Sequence, residues 1–118
     1  GADALIVSNH GGRQLDGAPS SIAALPGIVQ AVGKDIEVWM DGGIRSGQDV
    51  LKARALGARG TLIGRSFLYG LGAYGELGVT RVLEIIRKEL DLTMAFCGRT
   101  DINQVDTSIL LPGTYPTA

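Results

Sequence analysis

Three short apolar runs, each closed by glycine and polar residues and followed by a helix-compatible stretch, set the pattern of the chain. Ala4–Ser8 reads as a buried strand leading into a loop around His10. Pro26 fits a first helical turn, so a regular helix is predicted from about Pro26 to Val32, after a looser turn at Ser20–Ala24 and before Gly33. Ile36–Met40 is the second strand, closed by Asp41-Gly42-Gly43. Ser46 then caps a helix with Asp49 at the capping-box position, and Gly57 ends it. Gly60–Ile63 is the third strand, ended by Gly64-Arg65. A short segment at Phe67–Ala73 precedes the longest helix, about Val79–Cys97. There Val79, Val82, Leu83, Ile86, Leu90 and Met94 recur every three or four residues, and Gly98 stops the repeat. The tail from Arg99 has room for one short turn before Pro112 and Pro116.

Strand and helix alternating three times predict an α/β fold of parallel strands with right-handed crossovers. Strands so uniformly apolar call for cover on both faces, and three of them cannot close a barrel. A single domain is the most that 118 residues suggest. A net charge of −1 leaves no basic field for nucleic acid. The apolar runs are far too short to span a bilayer. A single cysteine, Cys97, excludes an internal disulfide and mildly favours a reducing compartment, so the expected location is the cytoplasm. Gly1-Ala2-Asp3 runs straight into a strand without methionine, and the chain is read as a piece of a longer polypeptide.

His10 is the only histidine, and Arg13 follows three residues later at the end of a strand, where parallel α/β folds keep their chemistry. His10 can be a loop histidine satisfied by backbone, or a base that is neutral near pH 7. Arg13 can pair with Asp16 or Asp3, or clamp a carboxylate with the planar fork that only a guanidinium supplies. Asp41-Gly42-Gly43-Ile44-Arg45 and Gly64-Arg65 are weak signals singly. Together, after consecutive strands, they offer close backbone approach, helix N-termini and two arginines, which suits a dianionic phosphate. One histidine and one cysteine far apart make no metal site. Trp39, Tyr69 and Tyr74 read as packing, and Cys97 as an inert residue on the buried face of the last helix.

Ser8-Asn9-His10-Gly11-Gly12-Arg13-Gln14-Leu15-Asp16 resembles the active-site signature of the FMN-dependent L-2-hydroxy acid dehydrogenase and oxidase family, and the likeness extends through about Ile109. The resemblance implies strands six to eight of a (β/α)8 TIM barrel with its last helix, residues 1–118 being the C-terminal segment of one barrel domain. It implies FMN as cofactor and a small 2-hydroxy acid as substrate, with His10 as the base and Arg13 on the substrate carboxylate. Ser8 matches a position near the flavin ring, and Asn9 braces the loop. Asp41 lies nearer the ribityl chain, and Gly42, Gly43, Ile44, Arg45, Gly64 and Arg65 lie around the phosphate. Family members also use aromatic hydroxyls, a lysine and a base-paired aspartate from earlier strands. The implied partners are therefore the N-terminal remainder of the barrel and, in the complete protein, further copies of it. Any membrane attachment would come from a loop upstream. Two alternatives remain at this point. One is a catalytically silent fragment. The other is a different FMN barrel, such as a type 2 isopentenyl diphosphate isomerase, although those lack the His10 and Arg13 pair.

Overall fold

The computed structural model describes residues 1–117. Its strands, β1 (Ala4–Val7), β2 (Glu37–Met40) and β3 (Gly60–Thr61), form one parallel sheet in the order β1-β2-β3. Helices α1 (Ser21–Val32) and α2 (Gly47–Ala55) are the crossovers, and α3 (Arg65–Phe96) follows β3. In the β1–β2 register Leu5 stands beside Val38 and Val7 beside Met40. Side chains alternate across a strand, so these four share a face. They meet Leu25 of α1 and Ala53 of α2 in the main core, where Leu25 and Ala53 are fully buried.

The opposite face carries Ile6, Trp39 and Leu62 and, among the described residues, has no helix over it. Ile6 is 52% and Leu62 40% exposed. The cover expected on both faces is thus present on one. A radius of gyration of 14.7 Å agrees with this open form. A closed chain of this length is expected near about 13.5 Å. Trp39 is half-buried because its ring lies over Gly60, where an added Cβ would come within 2.7 Å of Trp39 Cε3.

Three elements depart from the sequence reading. Helix α1 begins at Ser21, a turn earlier than Pro26 suggests. Ser20 is extended and its carbonyl accepts the N–H groups of Ala23 and Ala24, which starts the helix. Pro26 forfeits one bond to Ile22. Burial of Ser21 and Leu25 in the first turns outweighs that loss. Strand β3 is two residues long, although Leu62 still donates to the Met40 carbonyl.

Helix α3 begins at Arg65 and is broken only at Tyr74 and Gly75, the latter with φ +59°. Its arms fold back where Gly70 and Gly78 touch backbone to backbone. A Cβ on Gly70 would lie 2.5 Å from the Gly78 carbonyl oxygen. Tyr69 and Tyr74, expected to pack, are 72% and 80% exposed in this chain. Of the predicted apolar stripe only Leu83 is exposed. The lower part of the stripe, Leu90 and Met94, joins half-buried Cys97 against Leu51, Ala55 and Val105. The tail forms two short 3-10 turns, Ile102–Gln104 and Thr107–Ile109. Arg54 ties the first to α2 by donating to the carbonyls of Ala58 (2.7 Å) and Ile102 (3.1 Å).

Candidate functional site

All the loops that leave the C-terminal ends of the strands open onto one cleft of about 570 Å³. His10 and Arg13 line it from the β1 loop, Asp41, Gly42, Gly43, Ile44 and Arg45 from the β2 loop, and Gly64 and Arg65 from the β3 exit. Of the residues expected to bind substrate or cofactor only Ser8 is not on its wall. The structure adds Leu62, Ile63, Ser66 and Leu68. Ser66 had a signal, being the residue after Gly64-Arg65 at a helix start. The three apolar residues did not stand out from core.

The His10 loop is held in a tight, specific shape. His10 is the one non-glycine residue with positive φ (+53°) among the described residues, a conformation that persists only when its surroundings impose it. Ser8 Oγ accepts the His10 N–H at 3.0 Å, and Asn9 Oδ1 accepts the Gly11 N–H at 3.1 Å. Asn9 Nδ2 donates to the Pro19 carbonyl, and the Asn9 N–H donates to buried Ser21 Oγ at 3.2 Å. Asn9 is therefore the brace expected of it, and Ser8 also serves the loop backbone. Ser21 was not foreseen. It reaches Asn9 across twelve residues, and a Cβ at Gly42 would lie 2.9 Å from its hydroxyl, so it joins the first loop to the second. Gly42 (φ +85°) and Gly43 (φ +82°) turn that second loop in the left-handed region, and nothing lies within 4 Å of where a Gly43 side chain would be.

The two helix N-termini beside the cleft differ. At α2, Asp49 Oδ2 accepts the N–H groups of Arg45 and Ser46, Ser46 Oγ accepts that of Asp49, and Glu89 accepts that of Gly47 at 2.9 Å. Asp49, Ser46 and Glu89 thus take all the N–H groups at this end except that of Gln48, which corrects the expectation that both helix ends serve an anion alike. At α3, Gly64 supplies no side-chain cap, and the N–H groups of Arg65, Ser66 and Phe67 have no acceptor among the described residues. That end is open, with partial positive charge facing the cleft.

Arg13, Arg45 and Arg65 are exposed and take part in none of the salt bridges among the described residues, so Arg13 pairs with neither Asp3 nor Asp16. Asp41 Oδ1 is buried without a hydrogen-bond partner. An unmatched buried carboxylate oxygen calls for a donor. Three uncommitted guanidiniums, an open helix N-terminus, a side-chain-free Gly43 and an acceptor awaiting hydroxyls together fit a polyol phosphate and, near His10 and Arg13, a small carboxylate. These residues fit FMN. Among the described residues no group of histidine, cysteine and carboxylate could hold a metal.

Residues 1–112 match the model of a family described as FMN-dependent dehydrogenase. The chain is 56% identical to an L-lactate dehydrogenase of Pseudomonas syringae pv. syringae over 94% of its length, which is 29% of that protein. It is 50% identical to a pre-mycofactocin synthase of Mycolicibacterium smegmatis over 100% of its length, 30% of that protein. Among solved structures, a soluble mutant of the membrane-associated (S)-mandelate dehydrogenase from Pseudomonas putida superposes with a TM-score of 0.88 at 46% identity, over 92% of this chain and 31% of that one. The chain thus spans just under a third of the length of these relatives.

Proposed function

The chain belongs to the FMN-dependent dehydrogenase family, and from that premise we propose that it carries the base, the carboxylate clamp and the phosphate cradle of an oxidoreductase converting a small L-2-hydroxy acid to the 2-oxo acid. The observation that carries the reading is the single cleft in which His10 and three unpaired arginines meet the open end of α3. In this reading β1, β2 and β3 are strands six to eight of a (β/α)8 barrel, and residues 1–118 are its C-terminal segment. The uncovered face of Ile6, Trp39 and Leu62 supports it, since a barrel interior would close over those side chains.

Each residue has a physical task. Arg13 holds the substrate carboxylate through two parallel N–H bonds, which orients the 2-carbon toward His10. His10, fixed by its backbone web, takes a proton from the substrate's 2-carbon or hydroxyl and keeps it while electrons leave. Bound FMN supplies the two-electron acceptor. Asp41 accepts from ribityl hydroxyls through the oxygen that no protein group satisfies. The backbone at Gly43, Gly64 and α3's first turn, with Arg45 and Arg65, holds the phosphate, while Ile44 stays buried beneath its loop. Ser8 contributes by shaping the His10 turn beside the flavin. The partners are the remainder of the barrel, which supplies the flavin's other contacts, and further copies of the protein. No helix among the described residues is long and apolar enough to cross a membrane. We place the activity in the cytoplasm, with any membrane attachment outside this chain.

The test is the visible spectrum of the purified protein under anaerobic conditions, before and after L-lactate, glycolate or L-mandelate. A flavin spectrum that bleaches with one of them is expected. Bound flavin that none of the three reduces would turn the reading toward another substrate, a possibility the pre-mycofactocin synthase relative keeps in view. Full-length protein without flavin would reject it, whereas residues 1–118 alone are expected to lose flavin for want of the barrel's other strands.

A further inference from the structure

The phosphate cradle is built from two loops that no sheet bond ties together: the turn at Gly42 and Gly43, and the start of α3. Their strands are paired up to the bond from the Leu62 N–H to the Met40 carbonyl, and beyond that bond the tie between them is α3. Near its beginning, Ser66 Oγ donates to the Ile44 carbonyl at 3.2 Å. After the fold-back at Gly70 and Gly78, the second arm returns to α2, and Glu89 Oε2 accepts the Gly47 N–H at 2.9 Å across 42 residues. Gly47 is buried against that arm's backbone, where a Cβ would lie 2.6 Å from the Ile86 carbonyl oxygen. Glu89 does not line the cleft.

We propose that Glu89 is a positioning residue for the phosphate half of the site, fixing the Gly43–Ser46 loop against the N-terminus of α3 through its bond to Gly47. This rests on the reading that the cleft takes FMN by its phosphate. A hydrogen bond at one helix end anchors a loop only as far as that loop is stiff, and this one is stiff. Asp49 already binds Arg45 and Ser46, so displacement of Gly47 carries Arg45 with it. By taking the Gly47 N–H, Glu89 also leaves the start of α3 the more open of the two helix ends among the described residues.

The experiment is fluorescence titration of the flavin-stripped full-length protein with FMN and with riboflavin, which lacks the phosphate. The unaltered protein binds FMN more tightly than riboflavin. Glu89→Ala is expected to raise the FMN Kd about tenfold, the size of one charge-assisted hydrogen bond, while the riboflavin Kd stays put. Glu89→Gln keeps an oxygen acceptor at the same reach and restores most of the preference. If Glu89→Ala does not fold, Glu89→Asp, shorter by one methylene, shows the same selective loss to a smaller degree. An unchanged preference in these variants overturns the proposal, as does equal weakening for both flavins, which marks Glu89 as merely structural. An unaltered protein that binds both flavins alike removes the phosphate reading itself, and the role of Glu89 with it.

Discussion

Two glycines inside helices should answer the same substitution with opposite signs. Gly27 in α1 is exposed and has nothing within 4 Å of an added Cβ. Gly27→Ala therefore gains helix propensity alone, a stabilisation of about 0.5–1 kcal/mol. Gly47 begins α2, and a Cβ there would lie 2.5 Å from the Glu89 carbonyl carbon and 2.6 Å from the Ile86 carbonyl oxygen. Ordinary contact needs about 1 Å more, and the obstacles are backbone atoms that cannot rotate aside. The helices must part, which costs about 1–3 kcal/mol as overpacking. Parting also stretches the 2.9 Å bond from the Gly47 N–H to Glu89 out of range. Loss of a charge-assisted bond at a half-buried carboxylate costs about 1.5 kcal/mol. The propensity gain at a first helical position offsets less than about 1 kcal/mol of this. Gly47→Ala is thus expected to destabilise by about 1.5–4.5 kcal/mol. Urea unfolding of both variants beside the unaltered protein, followed by circular dichroism, reads the difference. Gly47→Ala as stable as the parent, or both variants shifting the same way, would refute the packing argument.

Arg13→Lys replaces a fork with a point charge and should raise KM for the hydroxy acid at least about tenfold, with a further loss in kcat; steady-state kinetics with unchanged substrate dependence would make Arg13 structural. Ser21→Ala leaves the Asn9 N–H without its acceptor in a buried setting and should cost about 1–3 kcal/mol, read by thermal unfolding; no loss would mean that Ser21 does not brace the loop. Hydrogen bonds from Ser108, aided by Arg99, hold the Asp106 carboxyl below the usual aspartate range. Because the folded value is depressed, its contribution to the tail is present above the unfolded value and fades as pH falls through the folded one. An NMR titration should place Asp106 below the ordinary aspartate value, and a midpoint at or above that value would remove the effect.

The parts of the fold that could be read in the sequence are those governed by neighbours in sequence. The three strands follow from apolar runs cut by glycine, and the start of α2 from Ser46 and Asp49, which form the capping box expected of them. The start of α1 was hidden because the local preference of Pro26 points one way and the burial of Leu25 the other. The full reach of α3 was hidden because the apolar repeat is visible only from Val79 onward, whereas the glycines at 70 and 78 make a helix-crossing contact that no local pattern announces. Within the site, His10, Arg13 and the glycine-arginine turns were visible by residue type and spacing. Ser21 and Glu89 act at separations of 12 and 42 residues, and no local pattern announces them. The closed end of α2 was half-visible: Asp49 was recognised as a cap, but that a capped N-terminus is no longer an anion site becomes plain only once Glu89 takes Gly47.

In the proposed reaction His10, held at positive φ at the mouth of the cleft, receives the substrate's proton. Stopped-flow measurement of flavin reduction by the substrate that bleaches it, comparing the full-length protein with His10→Gln, tests this most directly. The variant is expected to keep its FMN and to be reduced about 10²–10⁴-fold more slowly. Reduction at a near-normal rate, with FMN still bound, would contradict it.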